Sequence, residues 1–337
     1  MKAIVLEAYG TSKNLRSVEL ATPVPKENEV LVRIHAAAVN PIDLKKAAGA
    51  FKDFMPLPFP WTPGVDFSGT VESVGTAVKN FTIGDEVYGE KMEGGTYAEY
   101  IAVDQQFIAL KPRTLNFTEA ASVPVAAETA WQVLFQHAKI TAGQTVLIHG
   151  AAGAVGAYAV QLAHQAGAKV IATASAVYKD FLESLGADVV IDYKTVAFES
   201  VLSKEGVPGK VGIVGNANVL DKAGVPGKVD AVIDTVGGDV LQRSYAVIKA
   251  GGWLVSLTQP VSAELAATHD IHAIFSQLQP SGEELSRIAA LIDSGKLTTN
   301  PGNVYPLQQA AEAWNYLAGN PAPNTAKKNG RVVLQIR

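Results

Sequence analysis

The sequence contains no cysteine among its 337 residues. This absence excludes a disulfide framework, a thiolate nucleophile and any zinc site built on sulfur ligands. The chain also lacks a block of like charge, and its 28 Lys and Arg against 32 Asp and Glu leave a net charge of −4. We therefore expect no nucleic-acid partner, because such proteins concentrate basic residues on one surface.

Long apolar segments of the kind that enter membranes are missing as well. The apolar run 3–6 before Glu7 is too short for the core of a signal peptide. Residues 140–168 carry no charge and are long enough to cross a bilayer, but glycines, glutamines and histidines interrupt them. A buried strand, turn and helix explain this stretch better. We therefore expect a cytoplasmic protein without a membrane span.

The first third of the chain has the pattern of β structure. Residues 30–37, 69–74 and 86–88 are short runs between turn residues and predict strands. Four prolines within residues 54–64 restrict that segment to a loop. Helical periodicity begins near Thr118, whose hydroxyl can cap the helix, and it returns over residues 129–138.

From residue 145 onward, predicted strands alternate with helices. The strands are expected at residues 145–150, 169–174, 187–192, 229–234 and 252–257. Apolar strands separated by helices predict a parallel sheet with helices on both faces. The predicted fold class is therefore α/β, with a doubly wound parallel sheet in residues 121–269. This sheet is inserted in a β-rich domain made of residues 1–120 and 270–337, which the last strand, 331–336, completes.

A short repeat interrupts this alternating pattern. The hexapeptide GVPGKV occurs at residues 206–211 and again at 224–229, so residues 205–228 read as a local duplication that is too short for a solenoid. It follows a helix and precedes a strand, which places it at the amino ends of the strands, away from the ligand edge of such sheets. We interpret it as a surface insertion; a contact between subunits is the alternative.

The strongest chemical signal is a glycine turn that follows the strand at 145–150. Gly150 permits a tight turn, Gly153 lets backbone amides approach a pyrophosphate, and Gly156 allows a helix to pack closely on the strand. The helix that follows offers its free N–H groups and its positive dipole end to phosphates. The residues expected to surround the pyrophosphate are Gly150, Ala151, Ala152, Gly153, Ala154, Val155 and Gly156.

The end of the next strand indicates which dinucleotide is bound. An NAD site usually has an Asp or Glu there for the ribose 2′-hydroxyl, but residues 172–175 read Ala-Thr-Ala-Ser. Hydroxyl groups and a nearby lysine suit a 2′-phosphate instead. We therefore expect NADP(H), with Ser175, Lys179 and Tyr193 as the candidate phosphate contacts.

These features together resemble the medium-chain dehydrogenase/reductase superfamily, in its zinc-independent quinone oxidoreductase branch. The similar segments cover nearly the whole chain and include residues 36–49, 63–75, 84–89, 94–100, 126–132, 149–156, 185–193, 232–238 and 330–336. The resemblance implies a Rossmann domain inserted in a GroES-like catalytic domain. It also implies NADPH-dependent transfer of a hydride to a quinone or an α,β-unsaturated carbonyl.

The resemblance also implies which residues form the site. Zinc-dependent relatives carry Cys near position 40 and His-Glu near position 65, where this chain has Asn40 and Val65-Asp66, so we expect no metal. Asn40 and Thr129 would border the nicotinamide and the substrate; Thr129 as a helix N-cap is the alternative. The remaining expected cofactor contacts are Asp234, Thr235, Val236, Gly237 and Leu257.

One departure from the branch concerns Lys45. Many quinone reductases of the branch have Tyr there and Arg two positions later, whereas this chain has Lys45 and Ala47. The segment looks more like that of the chloroplast-envelope quinone oxidoreductase homologues, which act on unsaturated ketones. Lys45 is therefore either a hydrogen-bond donor to the developing enolate or a solvated surface lysine.

The family also leaves other activities and assemblies open. An enoyl-thioester reductase is one alternative, and a non-catalytic NADPH-binding protein with a structural or RNA-binding role is another, although the sequence has no basic cluster for RNA. His149 reads as a buried core histidine rather than a ligand. The resemblance implies a homodimer that forms through an edge strand of the cofactor domain.

Overall fold

The computed structural model describes residues 1–202, 227–321 and 330–337. These residues form two compact units. Unit 1 comprises Met1–Glu128 together with Gln279–Arg337, and unit 2 comprises Thr129–Leu278. The domain boundaries expected from the sequence stay a prediction.

The strands and helices have the following bounds. The strands are β1 (Lys2–Leu6), β2 (Leu15–Glu19), β3 (Glu29–Ala38), β4 (Asp66–Val74), β5 (Glu86–Glu90), β6 (Tyr100–Asp104), β7 (Ile108–Leu110), β8 (Thr145–His149), β9 (Lys169–Ala174), β10 (Val189–Asp192), β11 (Val229–Asp234), β12 (Ile248–Ser256), β13 (His272–Phe275), β14 (Pro301–Pro306) and β15 (Arg331–Gln335). The α-helices are α1 (Pro41–Ala47), α2 (Phe117–Ala121), α3 (Pro124–Trp131), α4 (Ala154–Gln165), α5 (Lys179–Ser184), α6 (Phe198–Val201), α7 (Gly238–Ser244), α8 (Ala263–Thr268), α9 (Gly282–Asp293) and α10 (Ala310–Leu317). A π-helical turn spans Gln132–His137.

Unit 1 is built on a largely antiparallel sheet. Its order is β14-β15-β3-β4-β5-β7, and β6 also pairs with β3. The last strand, β15, lies antiparallel to β3 with Val333 opposite Ala38, so the end of the chain belongs to the same sheet as its beginning. Apolar side chains of β3 and β4 form one core cluster that includes Ile34 and Phe67.

Unit 2 is built on a six-stranded sheet in the order β10-β9-β8-β11-β12-β13. Every neighbouring pair in it is parallel. Counted from β8, this is the 3-2-1-4-5-6 order of a doubly wound dinucleotide-binding fold. The α/β fold class predicted from the sequence is confirmed. In such a sheet the strand order reverses between β8 and β11, and ligands bind beyond the carboxyl ends of these two strands.

One local expectation from the sequence is wrong, and one alternative that the sequence left open is excluded. The cap of α2 is Asn116 and not Thr118, since the Glu119 amide donates to Asn116 Oδ1 at 2.9 Å and Glu119 Oε2 accepts from the Asn116 amide at 2.9 Å. Thr129 lies inside α3, so it is not an N-cap. Residues 272–275, for which the sequence predicts no element, form the edge strand β13.

Two further expectations concern the predicted insertion and the absence of a membrane span. The first GVPGKV copy, and the predicted insertion 205–228 apart from residues 227 and 228, lie outside the described residues. Among the described residues, no helix has the length and apolar character needed to span a membrane.

Candidate functional site

Asn40 is held in a buried hydrogen-bonded triangle with Asp66 and Arg331. Arg331 Nη2 donates to Asn40 Oδ1 at 2.7 Å and to Asp66 Oδ2 at 2.6 Å. Asn40 Nδ2 donates to the same Asp66 oxygen at 2.9 Å. Both ends of the Asn40 amide therefore have a fixed partner, and one Nδ2 hydrogen has none among the described residues.

Asp66 organises this triangle from the first position of β4. Its side chain is fully buried, and its second oxygen accepts the Val125 amide at 2.9 Å. Burial raises the pKa of Asp66, while the Arg331 charge and the hydrogen bonds from Asn40 and Val125 act in the opposite direction. One carboxyl group thus ties together β4, the start of α1, the start of α3 and the last strand.

A second buried polar chain supports the backbone of Asn40. Asp43 Oδ2 accepts the Asn40 amide at 2.8 Å, and the hydroxyl of Tyr97 donates to the same oxygen at 3.3 Å. Trp314 Nε1 donates in turn to the Tyr97 hydroxyl at 3.2 Å. Burial raises the pKa of Asp43 to about 7. The first turn of α1 is therefore anchored on side chains from distant parts of unit 1.

The two lysines of α1 have different environments. The side chain of Lys45 is exposed and makes no hydrogen bond or ion pair within the described chain. Lys46 is buried, donates to the Met92 carbonyl, and has its pKa lowered by burial. Lys45 is therefore the lysine of this segment that is free to meet a ligand.

A pair of buried carboxyl groups lies in the same unit. Glu90, which ends β5, and Glu128, in α3, are both fully buried. Burial raises the pKa of Glu128 to about 7, and the charge of Glu284 acts in the same direction. Burial and the neighbouring Glu128 raise the pKa of Glu90 well above its usual range. Two neighbouring carboxyl groups that both resist ionisation hold at least one proton near neutral pH. This pair was not predicted from the sequence, because its members lie on different elements.

In unit 2, the glycine turn stands at the point where the strand order reverses. Gly150 follows β8 with a φ of +65°, and a Cβ atom there would lie 2.4 Å from Thr235 Oγ1. A Cβ on Gly156 would lie 2.5 Å from the Gly150 carbonyl oxygen. Gly153 is the N-cap of α4 and provides no side chain to cap the first amides of that helix. These amides are thus left for an anion, as a phosphate-binding turn requires.

His149 is part of the frame beneath this turn. Its ring lies between Thr173 Oγ1, 3.0 Å from Nδ1, and Ser244 Oγ, 3.1 Å from Nε2. The Ser244 hydroxyl donates to the Val240 carbonyl at 2.7 Å, so it accepts from Nε2, and Nδ1 accepts from Thr173. Burial lowers the pKa of His149 to about 4, and the ring is neutral at pH 7. Its position agrees with the interpretation as a core histidine.

A cavity of about 850 Å³ opens at this edge of the sheet. The predicted site residues that line it are Gly150, Ala152, Gly153, Ser175, Tyr193, Thr235 and Val236. No Asp or Glu is among the described residues that line it, whereas Lys194 and Arg243 are. Arg243 is paired with Asp239 at 2.8 Å and with Glu199. Lys194 makes no side-chain ion pair within the described chain and is the cation left for a ligand.

Other predicted cofactor residues do not line this cavity. They are Ala151, Ala154, Val155, Gly156, Lys179, Asp234, Gly237 and Leu257. Lys179 Nζ lies 3.7 Å from Glu183 instead. Asp234 is fully buried, and its Oδ1 accepts the amides of Val236 at 3.0 Å and Gly237 at 2.9 Å. Asp234 therefore shapes the loop that presents Thr235 and Val236. Lys194 was not predicted from the sequence as a cofactor contact, although it directly follows Tyr193, which was.

Large parts of the chain match known protein families and individual proteins. The Alcohol dehydrogenase GroES-like domain matches residues 26–113, and the Zinc-binding dehydrogenase family matches residues 185–323. The chain is 36% identical to the NADPH-dependent alkenal/one oxidoreductase of Arabidopsis thaliana, over 99% of this chain and 79% of that protein. It is 33% identical to the chloroplast envelope quinone oxidoreductase homolog of the same plant, over 93% of this chain and 94% of that protein.

The chain belongs to the medium-chain dehydrogenase/reductase superfamily. Among solved structures, the quinone oxidoreductase from Coxiella burnetii has a TM-score of 0.82 and 33% identity, with 100% of this chain and 99% of that chain covered. The chain therefore shares its fold with this quinone oxidoreductase, and it is an enzyme of the oxidoreductase class.

The description of the second family names zinc, whereas the sequence predicts a site without a metal. Positions 40 and 66 hold Asn and Asp, and these are bound to each other and to Arg331. No group of three His, Asp or Glu side chains in the described parts of the chain is arranged to hold a metal ion. Zinc independence stays a prediction from the sequence.

The buried carboxyl pair predicts a pH-dependent stability. Because burial raises the pKa of Glu128 from 4.5 to about 7, the unfolded state loses its proton before the folded state does. The free energy of unfolding contributed by this group is therefore present below pH 4.5 and is lost as the pH rises to about 7. Glu128→Gln removes this loss, so the variant gains stability relative to the wild type across that window.

Urea denaturation at pH 4.5, 5.5, 6.5 and 7.5 measures this difference. Glu312→Gln, at an exposed position of α10, is the control and should show no such trend. A constant difference between Glu128→Gln and the wild type over the whole range would contradict the assignment.

Proposed function

We propose that the protein uses NADPH to reduce an α,β-unsaturated carbonyl or a quinone by hydride transfer, without a metal. This proposal rests on the cavity beside the glycine turn of unit 2, whose described lining includes Lys194 and Arg243 and contains no Asp or Glu. The name of the Arabidopsis thaliana relative, NADPH-dependent alkenal/one oxidoreductase, supports the same chemistry.

The residues of unit 2 fit a bound NADP(H). The open first turn of α4 suits the pyrophosphate, and the close approach at Gly150 leaves room for backbone but not for a side chain. Ser175, Tyr193 and Lys194 line the same cavity and suit the 2′-phosphate. When bound, the cofactor supplies a hydride from C4 of its nicotinamide.

The residues of unit 1 fit the handling of a carbonyl oxygen. Hydride addition to the β-carbon of an enone drives negative charge onto this oxygen, and fixed hydrogen-bond donors stabilise that charge. Asn40 offers one unused Nδ2 hydrogen, and exposed Lys45 offers its ammonium group. Together with Thr129, which the family resemblance places beside the nicotinamide, they are the proposed catalytic residues.

The proposed assembly is a homodimer located in the cytoplasm. Within the described chain, β13 pairs only with β12 and forms an edge of the sheet of unit 2. Such an edge strand can pair with the same strand of a second subunit. Two relatives carry chloroplast names, and the cytoplasmic location stays a prediction.

A substrate panel tests the proposed activity. NADPH oxidation is followed with a medium-chain vinyl ketone such as 1-octen-3-one, with 1,4-benzoquinone, with 9,10-phenanthrenequinone and with an enoyl thioester. We expect turnover of the vinyl ketone or a quinone, and no loss of rate after treatment with EDTA. Tight NADPH binding without oxidation of any compound would support a non-catalytic role, and turnover of the thioester alone would indicate an enoyl-thioester reductase.

Lys194 should determine the preference for NADPH over NADH. A charge-assisted hydrogen bond contributes about 1.5–3 kcal/mol, so Lys194→Ala should weaken NADPH binding about tenfold or more and leave NADH binding unchanged. Lys179→Ala, the variant of the lysine paired with Glu183, is the matched comparison. Titration of cofactor fluorescence measures both affinities. A larger loss with Lys179→Ala would return the phosphate contact to Lys179.

Lys45 should act on the carbonyl and not on the cofactor. We expect Lys45→Ala to lower kcat/KM for the vinyl ketone roughly tenfold, since it removes one donor to the developing oxyanion, while the Kd of NADPH stays the same. Lys52→Ala, at another exposed position of unit 1, is the control. Unchanged kinetics of Lys45→Ala would remove Lys45 from the mechanism and leave it as a solvated lysine.

A further inference from the structure

We propose that Arg331 is a positioning residue that acts through Asn40. It fixes the orientation of the Asn40 side-chain amide, so that one N–H stays available to the carbonyl oxygen of the substrate. This inference rests on the proposed function, because that function gives Asn40 its contact with the substrate. The triangle of Asn40, Asp66 and Arg331 is the geometry that carries it.

The triangle joins residues that are remote in sequence. The hydrogen bonds of Arg331 span 291 positions to Asn40 and 265 positions to Asp66. The side chains of the ion pair are 7% and 0% exposed. A buried ion pair adds little stability over an apolar replacement of the same size, because both charges lose their hydration. Stability alone therefore does not account for this ion pair in the core. Both of its members are hydrogen-bonded to Asn40, which indicates its role.

The pattern of donors and acceptors allows only one orientation of the Asn40 amide. The guanidinium group of Arg331 can only donate, and the carboxylate of Asp66 can only accept. Oδ1 of Asn40 must therefore face Arg331, and Nδ2 must face Asp66, as the bonds of 2.7 Å and 2.9 Å show. A flipped amide would place a donor against a donor and an acceptor against an acceptor.

The backbone of unit 1 holds Arg331 firmly at this position. It is the first residue of β15, and its amide donates to the Asn300 carbonyl at 3.0 Å. The planar guanidinium reaches two acceptors from one nitrogen, whereas the ammonium of lysine is a point charge on a flexible chain. Arg331→Lys therefore keeps the charge but loosens the hold on Asn40.

A double-mutant cycle tests this indirect action. We expect Arg331→Lys to lower kcat for the vinyl ketone about tenfold with little change in the Kd of NADPH, and to have no further effect in an Asn40→Ala background. Arg337→Lys, at the exposed end of the chain beside Glu99, is the matched control and should retain the wild-type rate. Equal effects of Arg331→Lys in both backgrounds would overturn the proposal, since a merely structural role adds to the loss of Asn40.

A second measurement does not depend on turnover. The side-chain amide signal of Asn40 in a ¹H–¹⁵N spectrum is assigned by its loss in Asn40→Ala. We expect this signal to shift or broaden in Arg331→Lys and to stay in place in Arg337→Lys. An unchanged signal in Arg331→Lys would overturn the proposal even if the enzyme is active. If the wild type reduces no substrate of the panel, the proposed function fails, while the spectrum still decides whether Arg331 orients Asn40.

Discussion

The carboxyl group of Asp66 is the contact on which the organisation of unit 1 depends. It accepts hydrogen bonds from Asn40, from Arg331 and from the amide of Val125. These partners come from the start of α1, the last strand and the start of α3, which are far apart in sequence. Because the group is fully buried, its loss would leave Arg331 as an unpaired buried charge, a strongly destabilising change. The same contact that closes the fold thus also fixes the proposed catalytic amide.

The same arrangement suits the proposed reduction of a carbonyl group without a Lewis acid. In the zinc-dependent branch of the superfamily, ligands at positions corresponding to 40 and 65 hold the metal that polarises the substrate. Here Asn40 and its neighbour Asp66 are hydrogen-bonded to Arg331 instead. Fixed donors in a buried site can stabilise a developing oxyanion because they need no reorganisation during the reaction. The proposed enzyme therefore depends on the orientation of a few side chains, and the cofactor supplies the reducing power.

Much of unit 2 could be predicted from the sequence, and much of the polar network of unit 1 could not. The strands β8, β9 and β11 follow from apolar runs beside a glycine turn, because local pattern and tertiary role agree there. By contrast, β13 has no clear alternation and is a strand only because it pairs with β12. Arg331 was not predicted as a site residue, because nothing in its local sequence indicates that its side chain reaches Asn40.

The most direct test of the account follows the hydride itself. The protein is incubated with 1-octen-3-one and NADPH that carries deuterium at both C4 positions, and the product is examined by mass spectrometry and NMR. We expect the saturated ketone with one deuterium, located on the β-carbon. NADPH oxidation that yields unlabelled product, or no saturated ketone or hydroquinone with any acceptor of the panel, would contradict hydride transfer as the function of this protein.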